Sequence, residues 1–309
     1  MKIVFAGSPA FAVPALNALY EKGADIAAVI TQPDKPVGRK KILTPTPVKV
    51  RAQELNIPVY DFAKIREHAE EVKSIGADIM ITCAYGQLLT QDILNCFKKG
   101  VWNLHASLLP ELRGASPIQS AILEGKTQTG ITVMKTELSL DTGDMLLVKK
   151  AETGNKTYGE LEEELSRLAA EAAVEALGYL KRGETQLLMQ NEAKATYCKK
   201  IQKEDGKINF ENSAEDICRL VRAMNPSPVA YCNQNGNILN ILRAQICTDG
   251  ESAGGEKCGT VLSADKRGIK VKCKDGAVNI TELIPAGGKK MSAADYVNGR
   301  KIKAGDILD

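Results

Sequence analysis

The chain has 309 residues, 44% of them hydrophobic and 26% charged, with 41 Lys plus Arg against 38 Asp plus Glu for a net charge of +3. That length suits about two domains, and that apolar share supports a core without disulfide or metal staples. Only two histidines occur, His68 and His105, which excludes a site built on a histidine cluster, and the total charge alone does not point to nucleic acid.

The eight cysteines contain no C-x-x-C and no zinc-type spacing, so they read as free thiols of a reducing cytosol, and a cytoplasmic protein without a bound metal is expected. Near the N-terminus, Gly7, Ser8, Pro9 and Pro14 interrupt the apolar run, which argues against a signal peptide. No apolar stretch approaches the roughly 20 residues of a membrane helix.

In chain order, residues 2–6 read as a strand ended by Gly7-Ser8-Pro9, and residues 11–22 have helical spacing that stops at Gly23. Residues 25–31 form a second apolar strand, and further strands are expected at 78–84, 101–104 and 129–135. Helical stretches near 48–56, 65–74, 90–98 and 117–123 separate most of them. Continuous apolar strands alternating with helices predict a parallel sheet covered on both faces. The expected fold is a doubly wound, Rossmann-like α/β domain with a mostly parallel sheet. Thr157-x-x-Glu160 then has the form of a capping box, and Leu161, Leu165, Leu168, Ala172 and Ala176 make one apolar stripe of a long helix.

The texture changes toward residue 207. One helix at 214–224 precedes short strand-like runs at 228–232, 237–247, 259–263, 268–273 and 278–283, punctuated by Gly, Asn and Asp. This predicts a small C-terminal β-barrel, OB-like in type. The expected organisation is a catalytic domain over 1–189, a linker over 190–206 and the β domain over 207–309.

The turn after the first strand, Gly7-Ser8-Pro9-Ala10-Phe11-Ala12, lacks the glycines of G-x-G-x-x-G, which argues against an NAD-dependent oxidoreductase. Phe11 by itself reads as a core residue. The most informative stretch runs from Val101 to Gly114, a strand leaving into a loop that contains Pro110. The carboxyl end of a parallel strand is where α/β ligands bind. Asn103 and His105 lie two apart and so share one face of that strand. An amide donor beside an imidazole suits oxyanion stabilisation and proton transfer, although a hydrogen-bonded surface histidine is an equal alternative. Asp141, in the acidic turn Leu140-Asp141-Thr142-Gly143-Asp144, offers a carboxylate to orient His105, against the alternative of a simple Asx turn.

Together these segments resemble the folate-dependent formyltransferases. The resemblance rests on Asn103-x-His105, Ser107-Leu108-Leu109-Pro110, Arg113-Gly114 and Asp141-Thr142-Gly143-Asp144, with Phe5-Ala6-Gly7-Ser8-Pro9 at the N-terminus. Thr31-Gln32-Pro33-Asp34-Lys35-Pro36 with Gly38-Arg39, and Arg222-Ala223-Met224-Asn225-Pro226, resemble the tRNA-directed branch of that family. Ala10 and Ser227 depart from the family's usual Asp and aromatic residue. The resemblance implies formyl transfer from 10-formyltetrahydrofolate to the α-amine of initiator methionyl-tRNA. It implies Asn103, His105 and Asp141 as the catalytic set, with Asn103 and His105 donating to the oxyanion. It also implies folate contacts from Ser107, Leu108, Leu109 and Pro110, and Phe11 as a wall of the methionine pocket.

Residues 35–51 carry Lys35, Arg39, Lys40, Lys41, Lys49 and Arg51 and no acid. Such a Pro- and Lys-rich loop is either solvated and mobile or functional. The resemblance implies that Arg39, Lys40 and Lys41 meet the tRNA. Lys270, Lys272 and Lys274 alternate along an expected strand, as either a guarded edge or a second basic face. A formyltransferase acting on a nucleotide-sugar amine, and a non-catalytic RNA-binding module, are the alternatives weighed. The basic loop and β domain disfavour the first, and Asn103, His105 and Asp141 disfavour the second. No sustained heptad appears, so a monomer is expected.

Overall fold

The computed structural model describes residues 1–38, 40–247 and 255–309. It contains two compact units, one of Met1–Pro117, Gln128–Glu152 and Glu162–Lys199, the other of Ile118–Thr127, Thr153–Leu161 and Lys200–Asp309.

The first unit starts with β1 (Lys2–Gly7), α1 (Val13–Glu21) and β2 (Asp25–Thr31). A hairpin of β3 (Lys35–Val37) and β4 (Ile42–Thr44) follows, then α2 (Pro47–Glu54) and β5 (Val59–Asp61). Next come α3 (Ala69–Ser74), β6 (Ile79–Cys83), α4 (Gln91–Leu94), β7 (Val101–His105) and the two-residue β8 (Arg113–Gly114). After α5 (Pro117–Leu123), which from Ile118 on belongs to the second unit, β9 (Gln128–Lys135) and β10 (Met145–Glu152) complete the sheet, ahead of the long α6 (Tyr158–Arg182), part of the first unit from Glu162, and β11 (Tyr197–Cys198).

Seven strands pair in the order β10-β9-β7-β6-β1-β2-β5, parallel from β7 to β5, with β9 and β10 antiparallel. In β1 every residue after Lys2 is buried, so both faces are covered, as the continuous apolar run predicts. The chain builds from β1 outward through β2 to β5, then returns to β6 on the opposite side of β1. That reversal between β1 and β6 is a topological switch point, and it opens a crevice at the carboxyl ends of the strands. One face of the sheet packs Val4, Ala6, Ile30 and Met80 on Phe62, Ile65, Val72 and Ile93.

The expected capping box closes as drawn. The Thr157 N–H donates to Glu160 Oε2 at 2.7 Å and the Glu160 N–H to Thr157 Oγ1 at 3.3 Å. In the stripe behind it, Leu161, Leu165, Ala172 and Ala176 are buried, while Leu168 is half-buried and Ala169 takes the inner position. Three local readings change. The basic loop is a hairpin rather than irregular chain, and β5 is too short to show a pattern in sequence. The helix expected over 90–98 ends at Leu94, because Phe97 turns into the core.

The second unit contains α7 (Ala214–Ala223), β12 (Ala230–Gln234), β13 (Asn237–Ile246), β14 (Val261–Asp265), β15 (Gly268–Cys273), β16 (Gly276–Pro285), β17 (Met291–Ser292) and α8 (Ala293–Asn298). The antiparallel order is β12-β13-β16-β15-β14, with β17 on β16. The edges β12 and β14 are joined by the last residues of the chain, through bridges Gln234↔Leu308 and Thr260↔Ile307. This closes the sheet into a barrel and leaves β12 and β14 no open edge toward each other. Two register shifts bend the long β13 around it. Val221, Ile241, Val271, Ile280 and Leu308 lie in its core.

Candidate active site

The crevice floor is tied together by short polar contacts. Gly7 ends β1 where a Cβ would lie 2.8 Å from the Cys83 carbonyl oxygen and 2.9 Å from the Ala12 Cβ, so no side chain fits there. Ser8 Oγ accepts the Gln32 N–H at 3.2 Å, and Gln32 Nε2 donates to the Tyr85 carbonyl at 2.9 Å. These bonds link the chain just beyond β1, β2 and β6, and they explain Gly7-Ser8 and Thr31-Gln32 physically.

Asn103 and His105 stand on one face of β7, as their spacing predicts. Thr82 Oγ1, across on β6, donates to Asn103 Oδ1 at 2.8 Å. That bond sets the amide's orientation and leaves Nδ2, with its two hydrogens, unpartnered among the described residues. His105 is 5% exposed. Its Nε2 lies 2.9 Å from the Leu112 carbonyl, so the ring carries a proton there. Nδ1 faces Asp141 Oδ2 at 3.7 Å, beyond direct hydrogen-bond range. Both ring nitrogens are therefore directed at protein groups, and His105 as drawn has no N–H to spare for an oxyanion. His68 stacks on Phe62 with ring centroids 4.5 Å apart and contacts Glu71, so its role is packing.

Asp141 has a left-handed backbone, φ 54°, a conformation that Asp tolerates better than most residues. Its Oδ2 accepts the Gly114 N–H at 2.9 Å. Gly114 itself has φ 123°, and a Cβ there would lie 2.2 Å from the Cys198 carbonyl oxygen. Only glycine supplies that N–H in that position.

The other expected site residues are placed as follows. Ser107 is fully buried, and its hydroxyl donates to the Glu111 carbonyl at 2.6 Å, so the side chain is engaged internally. Leu109 packs with Met134 and Met145. Leu108 and Pro110 keep partial exposure. Phe11 is 7% exposed, in a short 3-10 turn after β1, and its carbonyl accepts from Ser166 Oγ.

The largest departure from expectation concerns residues 190–206. The segment up to Lys199 belongs to the first unit, and the site is partly built from it. Arg113 is wholly buried and reaches it with every side-chain nitrogen. Nε and Nη2 donate to Gln190 Oε1 at 3.1 and 2.8 Å, Nη1 and Nη2 to the two Glu192 oxygens at 2.9 and 2.6 Å, and Nη1 to the Tyr197 hydroxyl at 3.2 Å. The Glu192 carboxylate raises the Arg113 pKa, and Arg113 in turn holds the Glu192 carboxyl below its ordinary value. Gln190 and Glu192 stand 77 and 79 positions from Arg113, and no local pattern marks them.

Among the basic residues of the loop, Lys49 bridges Asp34 and Asp61, both at 2.7 Å, and those partners raise its pKa. Arg51 binds Asn17 and Glu54. Neither is free for an anion. Lys40 and Lys41 are exposed at the hairpin tip, and Arg39 lies outside the described residues. In the second unit, Ile269, Val271 and Cys273 point inward from β15, while Lys270 and Lys272 share the outer face. Among the described residues, no helix is long and apolar enough to cross a membrane, and no group of three His, Cys, Asp or Glu side chains is placed to hold a metal.

Residues 1–177 match the family model described as formyl transferase, and residues 200–301 match the formyl transferase C-terminal domain. The chain is 42% identical over 312 residues to the methionyl-tRNA formyltransferase of Ruminiclostridium cellulolyticum, covering 100% of this chain and 99% of that one. It is 40% identical over 309 residues to that of Bacillus cytotoxicus, covering 99% and 98%. Among solved structures, the N-formyltransferase from Helicobacter canadensis, in complex with folinic acid and dTDP-3-aminofucose, superposes with a TM-score of 0.68 at 18% identity. That match covers 91% of this chain and 98% of the other. HypX from Aquifex aeolicus in complex with tetrahydrofolic acid gives 0.66 at 17% identity over 96% of this chain, which spans about half (47%) of the HypX chain. These two likenesses establish the fold, and the full-length matches establish the family: the chain belongs to the formyl transferases, in the methionyl-tRNA formyltransferase branch.

Proposed function

We propose that this enzyme moves the formyl group of 10-formyltetrahydrofolate onto the α-amine of methionine esterified to initiator tRNA, with Asn103, His105 and Asp141 performing the chemistry. The observation that carries the reading is the pairing, at the carboxyl end of β7, of an amide whose Nδ2 is unpartnered among the described residues with an imidazole whose Nδ1 faces a carboxylate.

Attack of an amine on a formyl carbon moves the carbonyl electron pair onto oxygen and leaves a positively charged nitrogen that must lose a proton. Asn103 Nδ2 donates to the oxyanion. One such donor typically contributes about a hundred- to thousand-fold in rate. His105 holds its own proton toward Leu112, so Nδ1 presents the lone pair that takes the amine proton. Asp141, 3.7 Å away, balances the resulting charge, with one water or a small closure completing the contact. His105 then returns that proton to the departing folate nitrogen as the tetrahedral centre collapses. His105 is thus the proton carrier, and the oxyanion falls to Asn103.

Folate lies against Leu108, Pro110 and the main chain of 107–110, since Ser107 and Leu109 are turned inward. Phe11 walls the methionine side chain. The phosphates of the acceptor end meet Arg39, Lys40 and Lys41, and Lys270 and Lys272 offer a second basic face. The test is formyl transfer from 10-formyltetrahydrofolate to charged initiator and charged elongator methionine tRNA. Transfer to the initiator with strong preference is expected, and transfer to neither overturns the assignment.

A further inference from the structure

Gln190 ties the Arg113 segment to the Asp141 loop a second time, beside the bond from the Gly114 N–H to Asp141. Its Nε2 donates to the carbonyls of Asp141 and Gly143, both at 2.8 Å, one hydrogen to each. Its Oε1 accepts from Arg113 Nε and Nη2. A guanidinium only donates, so the amide's orientation follows from its partners: oxygen toward Arg113, nitrogen toward the loop. Gln190 is 8% exposed and Arg113 0%, so neither has water as a substitute partner.

The loop it grips is the one that presents the carboxylate. Asp141 sits in a left-handed conformation with its carbonyl and that of Gly143 converging on a single nitrogen. Convergent carbonyls repel unless a double donor lies between them. The loop passes close to β9 at Gly143, where a Cβ would lie 1.8 Å from the Lys135 carbonyl oxygen and no side chain fits. With the backbone held by Gln190 and Oδ2 held by the Gly114 N–H, the carboxylate has one position, facing His105 Nδ1.

We infer that Gln190, anchored by Arg113, is a positioning residue for Asp141, and acts on turnover only through the Asp141–His105 pair. The kinetic part of this inference rests on the proposed function; the structural part does not. Only a side chain with a double donor and an acceptor on one planar group satisfies both sides. Glutamate at 190 would keep Arg113 and set a third oxygen against the two carbonyls. Methionine would match the shape and satisfy neither side. A displacement near 1 Å at a reacting group costs on the order of a hundred-fold in rate, so a ten- to hundred-fold fall is expected.

The experiment uses the full chain and two readouts. The first is the imidazole nitrogen–proton NMR spectrum of the free protein, where the two histidines give two ring systems and His68 is an internal control. Gln190→Glu and Gln190→Met are each expected to move the His105 ring signals as Asp141→Asn does, with His68 unmoved. Unaltered His105 signals in both variants overturn the inference. The second readout is steady-state formylation, by initial rates, in a double-mutant cycle with Asp141→Asn. In the wild-type background Gln190→Glu should lower kcat about ten- to hundred-fold with both KM values kept, and in the Asp141→Asn background it should add less than about two-fold. Equal losses in both backgrounds, or a change confined to KM, overturn it. Should the unmodified protein transfer no formyl group while the His105 signals respond, the functional reading fails and the positioning role stands on the spectrum.

Discussion

Replacing Arg113 with methionine separates two views of the buried network. Methionine fills much of the stem volume and removes all five side-chain hydrogen bonds. The ends released are not alike. Glu192 and Tyr197 are 66% and 64% exposed and return to water at little cost. Gln190 Oε1 is buried and loses both of its donors. An unsatisfied buried acceptor costs about 1–3 kcal/mol. Against this, a wholly buried guanidinium is itself expensive, and replacing a buried ion pair by apolar atoms is often neutral or stabilising. The stability loss for Arg113→Met should therefore stay at about 1–3 kcal/mol and be dominated by Gln190. Glu192→Gln, which keeps an acceptor on an exposed side chain, should change stability clearly less than Arg113→Met does. Urea unfolding at constant m reads both values from the shift of the midpoint. Turnover should separate more strongly than stability, with Arg113→Met losing kcat as Gln190→Met does and Glu192→Gln retaining it. Equal destabilisation by Arg113→Met and Glu192→Gln would refute the reasoning, because the ion pair rather than the buried amide would then hold the network.

Four further outcomes follow from the same geometry. Asn103→Ala should lower kcat by about a hundred- to thousand-fold with the KM for tRNA kept, measured by initial rates. Replacing Arg39, Lys40 and Lys41 together with glutamine should raise the KM for tRNA and flatten the dependence of log affinity on log salt by about two to three units, whereas Lys49→Gln should act on stability instead, because it bridges Asp34 and Asp61. Since Arg113 lowers the folded-state pKa of Glu192 beneath the ordinary 4.5, its contribution to stability is present above that value and disappears as pH falls through the lowered one. The gap between wild type and Glu192→Gln should therefore close below pH 4.5 and stay constant above it, read by urea midpoints across pH. Removing residues 306–309 strips the bridges that join β12 to β14 and the buried Leu308, so the second unit should lose several kcal/mol and show increased amide exchange along β12 and β14, while the first unit keeps its protection.

Much of this molecule was legible one segment at a time. Periodicities of two and 3.6 place Asn103 with His105, Lys270 with Lys272, and the apolar stripe of α6, because the partners lie within one strand or a few helical turns. The Thr157–Glu160 capping box closes within three residues, so the local pattern carries its whole geometry. The missing dinucleotide glycines and the family motifs likewise name the right chemistry. Where the reading fell short, the partner was distant in sequence. Lys49 reads as part of a free basic run until Asp34 and Asp61 are placed beside it. His105 reads as an oxyanion donor until the Leu112 carbonyl claims its Nε2.

Composition and periodicity by themselves indicated an α/β domain followed by a β domain, and the resemblance of its motifs named the formyl transferase family and pointed to Asn103, His105 and Asp141 as candidates. Only the tertiary structure decided how those residues are held. Residues 190–197 read as polar linker because a buried glutamine and an exposed one have the same composition. The difference lies in Arg113, 77 positions earlier, whose buried charge needs partners that only the folded chain brings to it. Spacing along the chain encodes contacts made within a strand or helix, and the orientation of Asp141 depends on contacts made across the fold.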